Sequence, residues 1–315
     1  MSKPVLRLDF ADFGHFDKND NFFVRALATR FDVRITDAPD ILIYSDFGHR
    51  HRLHACRKVY YTNESTPADF AGGQCDYALT SFPTEGRNFR LPYYVLLGDP
   101  LKLVKEGTPE EVERIAAQQT DFCAFVVSQD HGKKTANRIN FFHRLSKYKK
   151  VNSGGRMLNN IGGPLGPTRE DKLAFLRRHK FMIAFENGNS PGYVTEKIYD
   201  AMEARCIPIY WGTPDVALDF NPESFVNASA FRTPDIAVQR IIEIDNDPEL
   251  YRKMLAAPFF HGNRPNAAFD PAPLCDFFEK IVADPKPPVS VRKQGLFGRW
   301  TWAKQDKYYP PPATA

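Results

Sequence analysis

The sequence predicts an α/β protein with parallel sheets in two domains. Its 315 residues exceed one typical domain core and are about right for two. Short apolar runs of the length of buried strands recur in both halves of the chain. Many of these runs are followed by polar loops that contain glycine or proline, and helical patterns lie between several of them.

The N-terminal half contains five strand-like runs, with short helices expected between them. These runs are residues 5–10, 33–36, 41–44, 59–62 and 77–80. The polar stretch 103–121, with a helical pattern over 110–119, then links this half to the next. We therefore predict an N-terminal α/β domain over residues 1–110.

The C-terminal half alternates strand and helix patterns before it becomes helical. Strands are predicted over residues 122–128, 181–185 and 206–209, and helices over 135–148, 235–244, 248–256 and 273–283. This pattern predicts a second α/β domain over residues 111–285. Residues 286–315 remain as a basic, aromatic tail.

Residues 180–200, KFMIAFENGNSPGYVTEKIYD, predict a ligand site. They read as a buried strand, a polar loop and a helix with Lys197 in its first turn. A lysine is electrostatically unfavourable there, because a helix N-terminus already carries partial positive charge, unless an anion lies beside it. Helix N-termini beyond the carboxyl ends of parallel strands bind phosphates, so a nucleotide diphosphate is the natural ligand. The alternative is an ordinary strand-to-helix turn with solvated Glu196 and Lys197.

Residues 185–227, FENGNSPGYVTEKIYDAMEARCIPIYWGTPDVALDFNPESFVN, resemble the donor-binding motif of the α-1,3/4-fucosyltransferases, glycosyltransferase family 10, of the bacterial type. The resemblance implies a GT-B fold, with two Rossmann-like α/β domains facing a central cleft. It also implies an inverting enzyme that moves L-fucose from GDP-β-L-fucose to a hydroxyl of N-acetylglucosamine in a glycan. We expect an α-1,3 linkage, as in Lewis-type antigens or lipopolysaccharide. A transferase for another nucleotide sugar and a non-catalytic glycan- or nucleotide-binding module are the alternatives.

The resemblance also implies roles for particular residues in donor binding. Asn187 and Tyr193 would line the donor pocket, Glu196 would bind the ribose hydroxyls, and Lys197 would contact the diphosphate. Arg138, in the run RINFFHRL, would bind the donor phosphates, because an arginine fork fits phosphate oxygens. Lys133, Lys134 and Arg144 are competing candidates, and a solvated basic helix face is the alternative.

Glu64 is the candidate general base. It lies in VYYTNESTPADF, residues 59–70, where the resemblance places an acidic residue proposed to take the acceptor proton. A positioned carboxylate that takes a hydroxyl proton accelerates the reaction by about a hundred- to ten-thousand-fold. Without the resemblance, Glu64 would be read as a solvated loop residue. Asp69, Asp76 and Glu85 are other acidic residues of this region.

Composition and motifs exclude several functional classes. The net charge of +4 and a pI near 8.7 fall short of a nucleic-acid-binding signature, and no nucleic-acid-binding motif is present. Asp245 and Asp247 form a DxD pattern, but Asp247 before Pro248 is better explained as a helix N-cap. His49, His51 and His54 lie in a basic segment that we expect to be exposed. We therefore predict no metal and no cofactor, only the donor GDP-fucose and a glycan acceptor.

The two ends of the chain bear on cellular location. Residues 1–14 show neither a signal peptide nor a membrane-spanning run, so we expect a cytoplasmic enzyme. The tail mixes basic and aromatic side chains, which favours peripheral contact with the anionic inner face of a bacterial membrane. Packing of the tail on a domain is the alternative.

Overall fold

The computed structural model describes residues 2–129 and 132–289, and the chain forms two compact units. Of the described residues, the first unit contains 2–91 and 270–289, and the second lies between Pro92 and Phe269. The domain limits predicted from sequence, at 110/111 and 285/286, remain predictions. From residue 290 onward, the predicted tail lies outside the described residues.

The first unit is built on a six-stranded parallel sheet. Its strands are β1 (Val5–Ala11), β2 (Asp32–Ile35), β3 (Ile41–Tyr44), β4 (Arg57–Tyr61), β5 (Tyr77–Thr80) and β6 (Asn88–Arg90), in the order β2-β1-β3-β4-β5-β6. Helix α1 (Phe22–Leu27) packs against the late helix of this unit, Ala272–Ala283. The chain therefore returns to its first unit after the second unit is complete.

The second unit is built on a five-stranded parallel sheet. Its strands are β7 (Asp121–Phe125), β8 (Val151–Ser153), β9 (His179–Phe185), β10 (Ile207–Trp211) and β11 (Val226–Asn227), in the order β11-β10-β9-β7-β8. Its helices are α2 (Pro109–Gln118), α3 (Lys133–Leu145), α4 (Arg169–Leu176), α5 (Glu196–Glu203), α6 (Val216–Asp219), α7 (Pro234–Asn246) and α8 (Pro248–Ala256). The Ala272–Ala283 helix of the first unit is then α9.

Strand β9 is covered on both faces, as its apolar run predicts. Phe181, Ile183 and Phe185 belong to a core cluster that also contains side chains of α3, α7 and α8. Met182 belongs to a second cluster, with side chains of α4 and α5. Alternate side chains of a strand point to opposite faces of a sheet, so the two clusters lie on the two sides of β9. This doubly covered strand fixes the position of the loop that follows it.

The sequence located most elements but missed the short ones. Strands β3 and β5 and helix α8 begin and end where predicted, whereas β6, β11 and α4 were not predicted. The run VNSGGR, residues 151–156, begins as the three-residue strand β8. Gly155 in this run lies so close to the backbone of Val127 that a Cβ would collide with the Val127 carbonyl. Close backbone approach therefore accounts for the glycine there.

Two further features of the described residues concern redox state and membranes. All five cysteines lie in this part of the chain and are free thiols. Within residues 2–129 and 132–289, no helix has the length and apolar character needed to cross a membrane.

Candidate active site

Glu186 directly follows β9 and is almost completely buried, at 1% exposure. The backbone N–H of Thr195 donates to Glu186 Oε1 at 2.7 Å, and the Thr195 hydroxyl donates to Oε2 at 2.6 Å. On the other side, a Cβ on Gly212 would lie 2.8 Å from Glu186 Cγ, so only glycine fits without a shift. Glu186 thus joins the carboxyl end of β9 to the residue that precedes α5.

Lys197 lies in the first turn of α5, between two carboxylates. Its Nζ is 3.2 Å from Glu186 Oε2 and 3.1 Å from Glu196 Oε1, and it donates to Thr195 Oγ1 at 2.9 Å. Burial opposes the charge of the ammonium group, but the two carboxylates outweigh burial and raise the pKa of Lys197. The first-turn lysine is therefore cationic. Glu186 and Glu196 supply part of the negative charge that the sequence predicts beside it.

Glu196 is the more accessible of the two carboxylates, with 30% of its side chain exposed. Burial would raise its pKa, but Lys197 and Lys172 more than offset that effect and lower the pKa of Glu196 to about 2. Glu196 is therefore ionised at physiological pH and has an oxygen available to accept hydrogen bonds from a ligand. Vicinal sugar hydroxyls are donors of the required kind.

Arg138, on α3, is a buried cation beside the same loop. It is 5% exposed, and its Nη2 donates to Asn187 Oδ1. Its Nε is buried and has no hydrogen-bond partner within the described residues. Burial lowers the pKa of Arg138, and the nearby Glu186, Tyr193 and Glu196 oppose that shift. A buried guanidinium with a donor still available is suited to binding an anion such as a phosphate.

The loop between β9 and α5 is held by a turn at Gly192. Gly192 has φ of 72°, and its N–H donates to Thr213 Oγ1 at 3.1 Å. Tyr193, which follows, is 2% exposed, and its carbonyl accepts from the Tyr210 hydroxyl at 3.4 Å. Most of the Tyr193 ring is therefore packed inside the second unit. Tyr210 is fully buried, so its ring serves core packing.

Glu64 lies in the first unit, in the loop that leaves β4, and its side chain is exposed. Its backbone N–H donates to Thr62 Oγ1 at 3.1 Å. The Thr62 hydroxyl donates in turn to Asp46, which also accepts from the Tyr60 hydroxyl at 2.6 Å. A chain of hydrogen bonds thus connects the Glu64 backbone to a buried strand while leaving the carboxylate in solvent.

A cavity of about 240 Å³ opens beside this hydrogen-bond chain. It lies at the carboxyl ends of β3 and β4, where ligands bind in open parallel sheets. Its walls combine aromatic rings with polar and charged side chains, and they include Tyr44, Asp46, Arg52, Tyr60, Asp69 and Gln74. Aromatic faces and planar polar groups are suited to a sugar ring.

The structure brings five of the six predicted site residues together in the second unit. These are Arg138, Asn187, Tyr193, Glu196 and Lys197, whereas Glu64 belongs to the first unit. Of the competitors of Arg138, Arg144 is paired with Asp235, and the side chains of Lys133 and Lys134 lie outside the described residues.

Sequence reasoning missed Glu186. A carboxylate directly after five apolar residues was the available signal for Glu186. Asp200, on α5, is also buried, at 1% exposure. The reason is that Arg169 and Lys172 bind its carboxylate, at 2.6 and 2.7 Å.

The acidic residues of the DxD pattern bind protein groups in the structure. Asp245 binds Lys149, Lys180 and Tyr148, and Asp247 caps α8 through the N–H groups of Glu249 and Leu250. Within the described residues, no group of three or more His, Cys, Asp or Glu side chains is placed to hold a metal ion.

One expectation about the histidine segment is wrong. His51 is buried, at 4% exposure, because its Nδ1 is 2.5 Å from Asp12 Oδ2 and its ring stacks on Tyr44. His49, which precedes it by two residues, is exposed as expected.

Comparison with known proteins gives the family of this chain. Residues 116–285, more than half of the chain, match the model of the glycosyltransferase family 10 (fucosyltransferase) C-terminal domain. Residues 8–97 match the model of the α-(1,3)-fucosyltransferase FucT N-terminal domain. The chain belongs to glycosyltransferase family 10. The family assignment made from the donor-binding motif is thereby confirmed.

Curated family 10 relatives are longer than this chain. The α-(1,3)-fucosyltransferase FucT of Helicobacter pylori is 40% identical over 267 residues, which are 73% of this chain and 54% of the relative. Human α-(1,3)-fucosyltransferase 4 is 30% identical over 178 residues, which are 54% of this chain and 31% of the relative. The chain thus spans about half of the bacterial relative and about a third of the human one.

Solved structures confirm the two-domain α/β fold class expected for family 10. A crystal structure of an α1,3-fucosyltransferase has a TM-score of 0.72 at 24% identity and covers 92% of both chains. One described as containing GDP has a TM-score of 0.71 at 25% identity, over 91% of this chain and 92% of that one. Anabaena HepE with UDP and glucose, at 9% identity, has a TM-score of 0.50 over 89% of this chain and 99% of that one. At such identity, the likeness concerns the fold alone.

Proposed function

We propose that this chain is an inverting α-1,3-fucosyltransferase that moves L-fucose from GDP-β-L-fucose to a hydroxyl of N-acetylglucosamine in a glycan. The observation that carries the proposal is the presence of two cations beside the loop that leads into α5. There Lys197, the buried Arg138 and the helix N-terminus lie beside the same loop. The Helicobacter relative is named an α-(1,3)-fucosyltransferase, and solved family structures are described as containing GDP and GDP-fucose.

The donor would bind in the second unit through groups of complementary charge. Lys197 and Arg138 would bind the diphosphate, since each is cationic and Arg138 Nε is a buried donor with no partner in the described part of the chain. Glu196 would accept hydrogen bonds from the ribose hydroxyls, because it is ionised and partly exposed. Asn187 and Tyr193 would line the pocket beside these groups, and no divalent metal is needed to neutralise the diphosphate.

The acceptor would bind in the first unit, beside Glu64. The 240 Å³ cavity has walls suited to a sugar ring, and its Asp46 supports the Glu64 loop through Thr62. An exposed carboxylate on a loop anchored in this way can accept a proton from a bound hydroxyl. We therefore propose Glu64 as the general base.

The proposed reaction is a single displacement at the anomeric carbon of fucose. The acceptor oxygen forms a bond to that carbon and transfers its proton to Glu64. The bond between the carbon and the diphosphate oxygen breaks, and its electron pair leaves with GDP. Lys197 and Arg138 stabilise the charge that develops on the leaving diphosphate. Attack from the face opposite the leaving group converts the β-linked donor into an α-linked product.

An activity assay with defined acceptors tests the proposal. The chain is incubated with GDP-fucose and type 1 or type 2 glycan acceptors, and NMR determines the product linkage. We expect α-1,3-fucosyl product on the type 2 acceptor and released GDP. If a panel of donors shows transfer from a different nucleotide sugar, the transferred sugar is that one and not fucose. Binding of GDP-fucose without GDP release in the presence of acceptors would indicate a binding module instead.

Peripheral attachment to the inner face of a bacterial membrane is also proposed, from the composition of the tail. The basic and aromatic residues that motivate it begin at Arg292, outside the described residues. Cosedimentation with anionic vesicles, before and after truncation at Lys286, tests this proposal. Equal sedimentation of the two chains would contradict it.

A further inference from the structure

Thr195 is the N-cap residue of α5, but its hydroxyl does not cap the helix. A threonine at this position ordinarily accepts a hydrogen bond from an N–H group of the first turn. Here the Thr195 hydroxyl donates to Glu186 Oε2 at 2.6 Å, and in the described structure no side chain caps α5. Glu186 therefore holds the Thr195 hydroxyl away from the first-turn N–H groups.

The contacts of Glu186 indicate an ionised carboxylate. Both oxygens accept hydrogen bonds, from the N–H and the hydroxyl of Thr195. Lys197 Nζ is the only cation within 4 Å of this carboxylate in the part of the chain that the structure describes. Burial raises the pKa of Glu186, and so does the charge of Glu196, whereas Lys197 and the two hydrogen bonds from Thr195 oppose that shift by favouring the ionised form.

We propose that Glu186 is a positioning residue that serves as an internal counter-anion, holding Lys197 and the uncapped end of α5 until a diphosphate replaces it as the partner of Lys197. The proposal rests on the proposed function, because it assumes a nucleoside diphosphate at this site. Glu186 itself need not touch the ligand. It acts through Lys197 and Thr195.

The charges of the site explain why such a counter-anion is needed. Lys197, the buried Arg138 and the helix N-terminus all carry positive charge beside one loop. Burying Lys197 and Arg138 without counter-charges would be costly, and Glu186, together with the nearby carboxylate of Glu196, offsets that cost while the site is empty. The same negative charge opposes the arriving diphosphate and competes with it for Lys197. Glu186 thus lowers the affinity for GDP, which also favours release of GDP after transfer.

The test is GDP binding to Glu186→Gln, measured by titration calorimetry. Glutamine retains an acceptor for the Thr195 N–H but removes the negative charge. We expect GDP to bind about tenfold more tightly than to the wild-type chain at low salt, because one repulsive charge is lost next to the diphosphate. The donor KM and kcat should both fall, since GDP leaves more slowly. A residue with only a structural role would weaken binding when replaced.

The matched control is Glu203→Gln, which removes a mostly buried carboxylate from the other end of α5. Glu203 pairs with Arg169 and Lys102 rather than with Lys197. We expect wild-type GDP affinity in this variant. In a chain that already carries Lys197→Met, adding Glu186→Gln should increase GDP affinity by less than the tenfold expected in the wild-type chain. The reason is that Glu186 no longer competes with the diphosphate for Lys197.

The outcomes separate this inference from the proposed function. If the wild-type chain binds GDP and Glu186→Gln binds it equally or more weakly, the inference is wrong. If the wild-type chain does not bind GDP, the proposed function fails instead. If Glu186→Gln does not fold, crystal structures of the wild-type chain with and without GDP decide. Bound GDP should draw Lys197 Nζ beyond 4 Å from Glu186 while the Thr195 contacts remain, and an intact Lys197–Glu186 pair would overturn the inference.

Discussion

Glu64 and Glu186 each follow a parallel strand, yet the two residues lie in opposite environments. Glu64 leaves β4 on a loop that is held through its backbone, and its carboxylate is exposed. Glu186 leaves β9 with its carboxylate buried and bound to Thr195 and Lys197. A solvent-accessible carboxylate can exchange a proton with a substrate, whereas a buried, bonded one organises its neighbours. Glu64 is thus suited to proton transfer, whereas Glu186 is suited to positioning its neighbours.

The largest expected effect is on the exposed side of this comparison. Glu64→Gln should lower turnover by about a hundred- to ten-thousand-fold, because a positioned general base is lost. GDP affinity should be unchanged, since the proposed donor site lies in the second unit. Single-turnover rates and calorimetry measure the two quantities. Glu85→Gln, at another exposed residue of the first unit, is the control and should keep wild-type turnover. Near wild-type turnover in Glu64→Gln would refute the assignment.

The second prediction concerns GDP binding by Arg138, which is buried beside the Glu186 loop. Arg138→Met should weaken GDP binding by about ten- to a hundredfold, because a charge-assisted hydrogen bond to phosphate is lost. Arg144→Met is the matched control, since Arg144 lies on the same helix but pairs with Asp235. Equal GDP affinities of the two variants, measured by calorimetry, would show that α3 does not supply a phosphate ligand through Arg138.

A smaller effect on turnover is expected when Asp46, which supports the Glu64 loop through Thr62, is replaced. Asp46→Asn weakens the acceptor of the Thr62 and Tyr60 hydroxyls. We expect acceptor turnover to fall about tenfold, because misplacement of a catalytic group by a fraction of an ångström is costly. GDP affinity should not change, and Asp37→Asn, at an exposed surface residue, should change neither quantity. A loss of GDP affinity in Asp46→Asn would show that support of the Glu64 loop also affects donor binding, contrary to the prediction.

The smallest effect concerns pH and the first unit. Burial lowers the pKa of His51 below its ordinary value of 6.5, and Asp12 opposes that shift. The unfolded chain therefore binds more protons just below pH 6.5, so stability falls as the pH drops through this range. Hydrogen exchange of residues 41–61, corrected for intrinsic rates, should accelerate between pH 7 and pH 5 more than that of residues 181–203. His51→Gln should remove this difference, and a difference that persisted would assign it to another group.

Local sequence patterns were enough to predict those strands and helices whose formation depends on residues close together in the chain. Strand β9 was recognisable because five consecutive apolar residues require burial on both faces, and Asp247 before Pro248 marked the start of α8. Strands β6 and β11 have three and two residues, too few for any periodicity, and pairing with a neighbouring strand defines them.

The candidate site was predictable only in part, for a similar reason. The motif at residues 185–227 identified Asn187, Tyr193, Glu196 and Lys197, but nothing in a single sequence shows that Glu186 points inward. Its burial follows from the approach of Thr195 and Gly212, which lie 9 and 26 positions along the chain. His51 was misjudged because its partner, Asp12, is 39 positions away. Contacts of such sequence separation are properties of the fold.

The absence of a side chain at position 212 limits how the surroundings of Glu186 can be altered. Any larger residue there would press on the Cγ of Glu186, 2.8 Å away, and on the Tyr210 ring. Attempts to redesign donor preference by random substitution along residues 185–212 would therefore lose variants at this glycine even though it contributes no functional group of its own. A mutagenesis library that keeps Gly212 fixed should retain a larger fraction of folded, GDP-binding members than one that varies it.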